Sequence, residues 1–489
     1  MTSQTAGLGS SAARGAGVTL VGQLARVLVQ FGGLFVLARL LNPTDYGLLA
    51  AITAVVGIGE VVRDFGLSSA AIQAKELSKG QSNNLFWINS ALGLVMAIGA
   101  FALSGVIAVV FHNPILQPLT QVLSVTFIFN GVSTQFRAQL NRDLKFGSLA
   151  GADIVGQLLG LGAGIVFALM GWGVWALIAQ QIIAAVTTLV GLALMSSWKP
   201  GPISRQSSVR PFFAYGFHLM GAQLLNYASQ NVDSVLIGGR MGMTQLGLYN
   251  RAFQLLTLPL SQVNAPATRV ALPVLSKLRD DVDRYRDFLL TGQSALINLV
   301  LAIFAFGCAQ SYPLVDLALG SHWHGVSPIF QILAVAGAFQ VCAYATYWVF
   351  LSKGLTKANL RFALVYRPIA ILAIIGGSFL GSIYTVSWAY TLSVMFGWIL
   401  GLVWIGRISD APALAMFLNG VRGLVGYALA GAASFFAVQW MPLSASFARI
   451  GLGAVAFIAA LAVLMLVWPR FRRDALSVRR IVLLVRRPK

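Results

Sequence analysis

Residues 149–195 read LAGADIVGQLLGLGAGIVFALMGWGVWALIAQQIIAAVTTLVGLALM. Two apolar runs, 149–170 and 173–195, are divided only by a short turn. A helix rises 1.5 Å per residue, so about 20 apolar residues cross the hydrocarbon layer of a bilayer. Each run is long enough to do so. Working outward, comparable runs lie at 17–41, 46–72, 85–111, 115–135, 212–237, 246–270, 288–310, 326–351, 361–380, 383–405, 421–440 and 447–468. The chain therefore reads as an all-α polytopic membrane protein of roughly fourteen spans.

Composition agrees. Of 489 residues, 57% are hydrophobic and 10% charged, whereas a soluble domain carries about 25% charged residues. The 50 glycines suit helices packed closely in lipid. The net charge of +20 would point to nucleic acid in a soluble protein. No RNA-binding motif accompanies it, and Lys and Arg mark cytoplasmic loops in membrane proteins, so nucleic acid is not expected as a partner. With the N-terminus inside, the inside segments hold 26 of the 34 Lys and Arg, and the outside loops hold one, Arg240. That asymmetry predicts cytoplasmic termini on both sides of the chain. Residues 1–16 are short and polar without a cleavage signal, so the first run is expected to remain as a span. Cys308 and Cys342 fall at different depths on consecutive helices and are read as packing residues.

No loop exceeds about 20 residues, which leaves no room for a soluble catalytic domain and disfavours a polymerase or ligase. No G-x-x-x-x-G-K-[ST] phosphate loop, nucleophile elbow or metal-ligand cluster is found. His322 and His324 flank Trp323 without further ligands, so that loop reads as an interfacial anchor. The chain is expected to be neither an enzyme nor an ATPase, and to hold no cofactor or metal.

An internal repeat appears at an offset of 200 residues. Gln23-Leu24 matches Gln223-Leu224, Gln30 matches Gln230, and Thr44, Gly47 and Leu48 match Thr244, Gly247 and Leu248. With a slip of two, Leu77-Ser78-Lys79 matches Leu275-Ser276-Lys277. Two parallel six-span halves are a transporter architecture. The expected organisation is a cytoplasmic N-terminus (1–16), six-helix bundles at 17–210 and 211–405, two additional helices at 406–468, and a basic tail at 469–489. The tail suits an amphipathic helix on the anionic inner leaflet.

Polar residues inside the spans fall on shared helical faces. Thr19, Gln23, Arg26 and Gln30 form a stripe on span 1; Gln223, Asn226, Gln230 and then Asp233 form one on span 7. Asn250, Gln254, Thr257, Ser261 and Asn264 form a third beside Arg251, and Thr53, Glu60 and Asp64 a fourth beside Arg63. A single polar residue can glue two helices together, but a whole face is what a wet cavity needs. The expectation is a polar cavity whose substrate-binding residues are Gln23, Arg26, Gln30, Arg63, Gln223, Asn226, Gln230, Arg251 and Gln254. Arg26 suits a substrate phosphate or, alternatively, a salt bridge to Glu60 or Asp64. Glu60, Asp64, Asp153 and Asp233 are the carboxylates that could couple transport to an H+ or Na+ gradient. Pro259, Pro266 and Pro273 make span 8 either a bending gate or a fixed kink.

The segments LLNPTDYGLLA (40–50), DFGLSSAAIQ (64–73), FRAQLNRDLKF (136–146), NVDSVLIGGRMGMTQLGLYNRAFQL (231–255), PVLSKLRDD (273–281) and SPIFQILAVAG (327–337) resemble the polysaccharide-transporter branch of the MOP superfamily. That branch includes the Wzx-type flippases and lipopolysaccharide or exopolysaccharide exporters. The resemblance implies a V-shaped pair of six-helix bundles plus two helices, in the inner membrane. It implies a cationic cavity that passes undecaprenyl-diphosphate-linked oligosaccharides between leaflets, with membrane lipids, a polysaccharide polymerase and chain-length machinery as partners. Related peptidoglycan-precursor flippases place arginines on spans 1, 2 and 8; Arg26, Arg63 and Arg251 fall on the same-numbered spans here, matched by helix and not by motif. The rivals are a cation-coupled drug antiporter of the same superfamily, a polytopic glycan polymerase, and a structural scaffold.

Overall fold

The computed structural model describes residues 29–30, 32–64, 77–207, 209–441 and 445–477, and among these there is no strand. In lipid, a helix satisfies its own backbone groups, and these apolar runs take that solution. The helices are α1 (32–40), α2 (Pro43–Asp64), α3 (Lys79–Val110), α4 (Leu116–Arg142), α5 (Phe146–Leu169), α6 (Val174–Met195) and α7 (Arg210–Met241). There follow α8 (Met243–Lys277), α9 (Val282–Ala309), α10 (Ser311–Ala318), α11 (Val326–Ser352), α12 (Thr356–Phe379), α13 (Ile383–Ile408), α14 (Ala413–Trp440), α15 (Ser446–Val467) and α16 (Pro469–Ala475).

Ten of the described helices are long and apolar enough to cross a membrane. Three more predicted spans, those of α4, α7 and α8, are also long helices, with more polar content. The runs at 361–380 and 383–405 are two separate helices, divided at Gly381 with φ 72. Large apolar side chains stand exposed along whole helices, such as Leu94, Val95, Ile98 and Phe101 on α3 and Val455, Ile458 and Leu466 on α15. Water would penalise such surfaces, whereas lipid does not.

The chain divides into two compact units, Met1–Gly247 and Leu248–Lys489. In the first, α5 pairs with α6, α3 with α4, and α7 packs on α2. Small residues set the spacing. Gly156, Gly160 and Gly164 form a stripe along α5 that faces Thr188, Ala184 and Gln180 of α6. A Cβ at Gly160 would lie 2.7 Å from both the Ala184 Cβ and the Gln180 carbonyl oxygen. Close backbone approach of this kind holds helices together where lipid removes the hydrophobic drive.

The repeated residues Thr44 and Gly47 touch their own repeat partners. The hydroxyls of Thr44 and Thr244 are 2.8 Å apart. A Cβ at Gly47 would fall 1.7 Å from the Met243 carbonyl oxygen, and one at Gly247 would fall 1.8 Å from that of Pro43. The two helix starts thus cross through matching residues in a self-complementary contact.

In the second unit, α9, α11, α13 and α14 pack together, with α15 on α14 and α12 on α13. Here α16 departs from the expectation for the tail. The start of the basic segment does not lie free on a membrane surface. Phe471 is buried over Gly426, where a Cβ would come within 2.3 Å of its ring, and Arg422 holds Asp474 at 2.8 Å. Asn298 Nδ2 donates to the Asp474 carbonyl oxygen at 2.8 Å. An aromatic with a notch to fill and a paired carboxylate outweighs surface attraction. Residues 478–489 lie outside the described residues.

Candidate functional site

The first unit holds a partly open cavity of about 1000 Å³ lined by α2, α4, α5, α6 and α7. Helix α2 contributes Thr53, Gly57, Glu60 and Arg63; α7 contributes Gln223 and Tyr227. These residues belong to stripes, or neighbour stripes, predicted to line a cavity. The largest polar share comes from α4, with Thr126, Asn130, Ser133, Thr134, Arg137 and Asn141. Sequence reading ended this span at 135 and placed Arg137 in a loop, but the helix runs on to Arg142. Asp153 and Gln157 of α5 and Gln181 and Thr188 of α6 complete the wall.

Two ion pairs organise the chamber. Arg63 donates from Nε to Glu60 Oε2 at 2.9 Å and from Nη1 to Thr134 Oγ1 at 2.8 Å and the Asn130 carbonyl oxygen at 3.2 Å. Asn130 Nδ2 donates to the other Glu60 oxygen at 3.0 Å. The Arg63 partner is therefore Glu60, one turn back on its own helix. Arg137 grips Asp153 with both arms, Nη1 to Oδ2 at 3.1 Å and Nη2 to Oδ1 at 2.6 Å. This parallel geometry is the strong form of an arginine–carboxylate pair. Tyr227 closes the wall by donating to the Thr53 carbonyl oxygen at 2.6 Å, over a glycine, Gly57, that leaves room for its ring.

Among the described residues the charges on this wall balance, two arginines against two carboxylates. Several polar groups remain without protein partners. Gln157 Oε1 is buried with no hydrogen bond, and the side chains of Asn141, Gln181 and Gln223 make none among the described residues.

The other predicted residues are placed as follows. Gln23 and Arg26 lie outside the described residues, as does the side chain of Asp64. Gln30 is exposed on the helical stretch leading to α1, and Asn226 and Gln230 are exposed on α7, 3.4 Å apart, off the cavity wall. Asp233 is buried and accepts from the Ser234 backbone N–H at 2.7 Å. In the second unit Arg251 is 7% exposed, so it does not reach outward to an interface. Its Nη1 donates to Gln254 Oε1, and its guanidinium lies 5.9 Å from the centroid of the Trp323 ring. Trp323 itself is fully buried, which corrects the expectation of an interfacial anchor there. Flanking it, His324 meets Asp316 at 3.2 Å. Cys308 and Cys342 are free thiols.

A sequence profile described as "Polysaccharide biosynthesis protein" matches residues 36–328. The chain belongs to this family. It is 28% identical over 354 residues to the lipopolysaccharide biosynthesis protein WzxC of Escherichia coli (strain K12), covering 71% of each chain. It is 24% identical to the teichuronic acid biosynthesis protein TuaB of Bacillus subtilis (strain 168), over 87% of this chain and 90% of that one. Among solved structures, the inward closed conformation of the lipid II flippase MurJ superposes with a TM-score of 0.66 at 13% identity, over 91% of this chain and 98% of that one. An inward-facing MATE-family multidrug transporter of the MOP superfamily superposes at 0.63 with 15% identity, over 80% and 95%. These likenesses show the fold, a polytopic all-α architecture.

Proposed function

We propose that this member of the polysaccharide biosynthesis family is a flippase. It moves an undecaprenyl-diphosphate-linked oligosaccharide, the repeat unit of a lipopolysaccharide or exopolysaccharide, from the cytoplasmic to the periplasmic leaflet by alternating access. One observation carries the reading: membrane-length helices wall a large chamber with amides, hydroxyls and paired charges. A sugar head cannot cross lipid without such partners, because each unpaired polar group costs several kcal/mol there. WzxC and TuaB are named for the biosynthesis of cell-surface polymers, and the relative ExoT of Rhizobium meliloti (strain 1021) is named a succinoglycan biosynthesis transport protein, which supports this reading.

The strong Lys and Arg asymmetry supports cytoplasmic termini in an inner membrane. With that orientation the chamber sits towards the cytoplasmic ends of α2, α4 and α6, where a substrate made in the cytoplasm is loaded. The protein acts as a carrier and not as an enzyme. Transport draws on an H+ or Na+ gradient, for which Glu60, Asp64, Asp153 and Asp233 are the candidate carboxylates. A polymerase and chain-length machinery receive the product. Deleting the gene in its host is expected to abolish surface polysaccharide and to leave the lipid-linked repeat unit accessible only from the cytoplasmic face. Unchanged polymer at the surface refutes the proposal.

A further inference from the structure

The chamber of the first unit separates two jobs that a flippase cavity is expected to do together. A diphosphate needs positive charge that no protein group has already claimed. Here each guanidinium is spent on a carboxylate, in one case with both arms, and a substrate phosphate would have to displace Glu60 or Asp153. Among the described residues, what the wall leaves open is uncharged. Gln157 Oε1 is buried and unpartnered, and Gln181 and Gln223 present further free amides. An amide offers two donors and an acceptor, the complement of sugar hydroxyl and N-acetyl groups. A buried polar atom without a partner has lost its water and gained nothing in return, so Gln157 gains when a ligand donor arrives. The volume, about 1000 Å³, is at the upper end of the roughly 300–1,000 Å³ of small-molecule sites and holds more than one sugar ring.

We infer that this chamber recognises the uncharged sugar portion of the lipid-linked substrate, with Gln157, Gln181 and Gln223 as specificity-determining residues, and that the diphosphate is held elsewhere. The inference rests on the flippase reading for its biological substrate, though not for the chemistry of binding. The two ion pairs then serve to keep the chamber neutral and to hold α2, α4 and α5 in register around it.

The test uses the full chain in lipid nanodiscs and five soluble probes: chitotetraose, maltotetraose and mannotetraose as neutral chains, tetragalacturonate as an acidic one, and inorganic pyrophosphate. Two variants are compared, Q157L/Q181L, which removes free amides of the chamber and keeps both ion pairs, and Q117L, which removes an exposed amide of α4 outside the chamber. At least one neutral chain is expected to bind the native protein and Q117L within twofold, to bind Q157L/Q181L at least tenfold more weakly, and to resist competition by pyrophosphate. Q223L provides the same contrast if Q157L/Q181L does not fold, as judged by its thermal melt. Preference for tetragalacturonate or pyrophosphate over every neutral chain, or a loss of neutral-chain binding in Q117L equal to that in Q157L/Q181L, overturns the inference. So does Q157L/Q181L exporting polysaccharide at native levels in the deletion strain. Export that persists without the gene refutes the flippase reading instead, and the nanodisc probes still decide the chamber.

Discussion

Replacing Gly47 with Ala places a methyl group 1.7 Å from the carbonyl oxygen of Met243. Real Cβ atoms essentially never come within 3.0 Å of a neighbour. The obstacle is main chain and cannot rotate away, so the starts of α2 and α8 must separate by roughly an ångström or more. Overpacking of this size costs about 1–3 kcal/mol. Separation also breaks the Thr44–Thr244 hydrogen bond of 2.8 Å, worth about 1 kcal/mol. The expected destabilisation is therefore about 2–4 kcal/mol. Gly247→Ala should match it, since its methyl would meet the Pro43 carbonyl at 1.8 Å. Gly99→Ala on α3 is the control, because its Cβ would find nothing within 4 Å. The assay is the rate of thermal inactivation of the purified chain, read as loss of the monodisperse peak in detergent. G47A and G247A should inactivate much faster than native protein, and G99A should not. In a C308A/C342A background, T44C/T244C should form a disulfide on mild oxidation, the two side chains being in contact and exposed. If G47A behaves like G99A and the cysteine pair stays reduced, the crossing does not exist as described.

Three other outcomes follow from particular contacts. Asp153→Asn strands Arg137, whose side chain is 41% exposed; the cost should be about 1–2 kcal/mol, between the ~0–1 of exposed pairs and the ~3–5 of buried ones. The double variant R137Q/D153N should recover most of it in the same inactivation assay, and failure to recover would show that the pair itself is not what matters. Phe471→Ala empties the notch over Gly426 and should cost about 3–5 kcal/mol, seen as faster proteolytic release of the chain beyond 468; unchanged proteolysis would mean that α16 is not docked. The Asp316 carboxyl is held below its usual range, first by the Ser446 hydroxyl at 2.7 Å, then by His324, with Arg449 adding attraction. A carboxyl depressed in the folded state stabilises at pH above its unfolded value of 3.8 and loses that contribution as pH falls through its lower folded value. The stability advantage of native protein over D316N should therefore hold from pH 7 to about 4 and vanish below it; an advantage that grows in acid would refute this.

Why some of this was legible in the sequence and some was not has physical reasons. The spans were readable because lipid demands long apolar helices. Thr44, Gly47 and their partners were visible as a repeat, and the structure supplies a reason for their matching: each touches its own copy, so both copies must fit one contact. What hydropathy hid was α4. Averaging over a window ended the span at 135, just where Arg137 and Asn141 begin to add polarity. Yet Asn130, Thr134, Arg137 and Asn141 follow offsets 0, 4, 7 and 11, the same face-sharing pattern as Thr19, Gln23, Arg26 and Gln30 on span 1. Periodicity carried across the nominal span end would have found the cavity wall. The charge balance was harder to see, because it depends on which arginine meets which acid. One pair does follow from connectivity: α4 and α5 are joined by the short turn Asp143–Lys145, which brings Arg137 and Asp153 to comparable depth on neighbouring helices. An arginine near the end of one helix and an acid just inside the next should be read first as partners. Only an arginine left over after that pairing is available to a substrate phosphate, and by this rule the chamber of the first unit has none among its described residues.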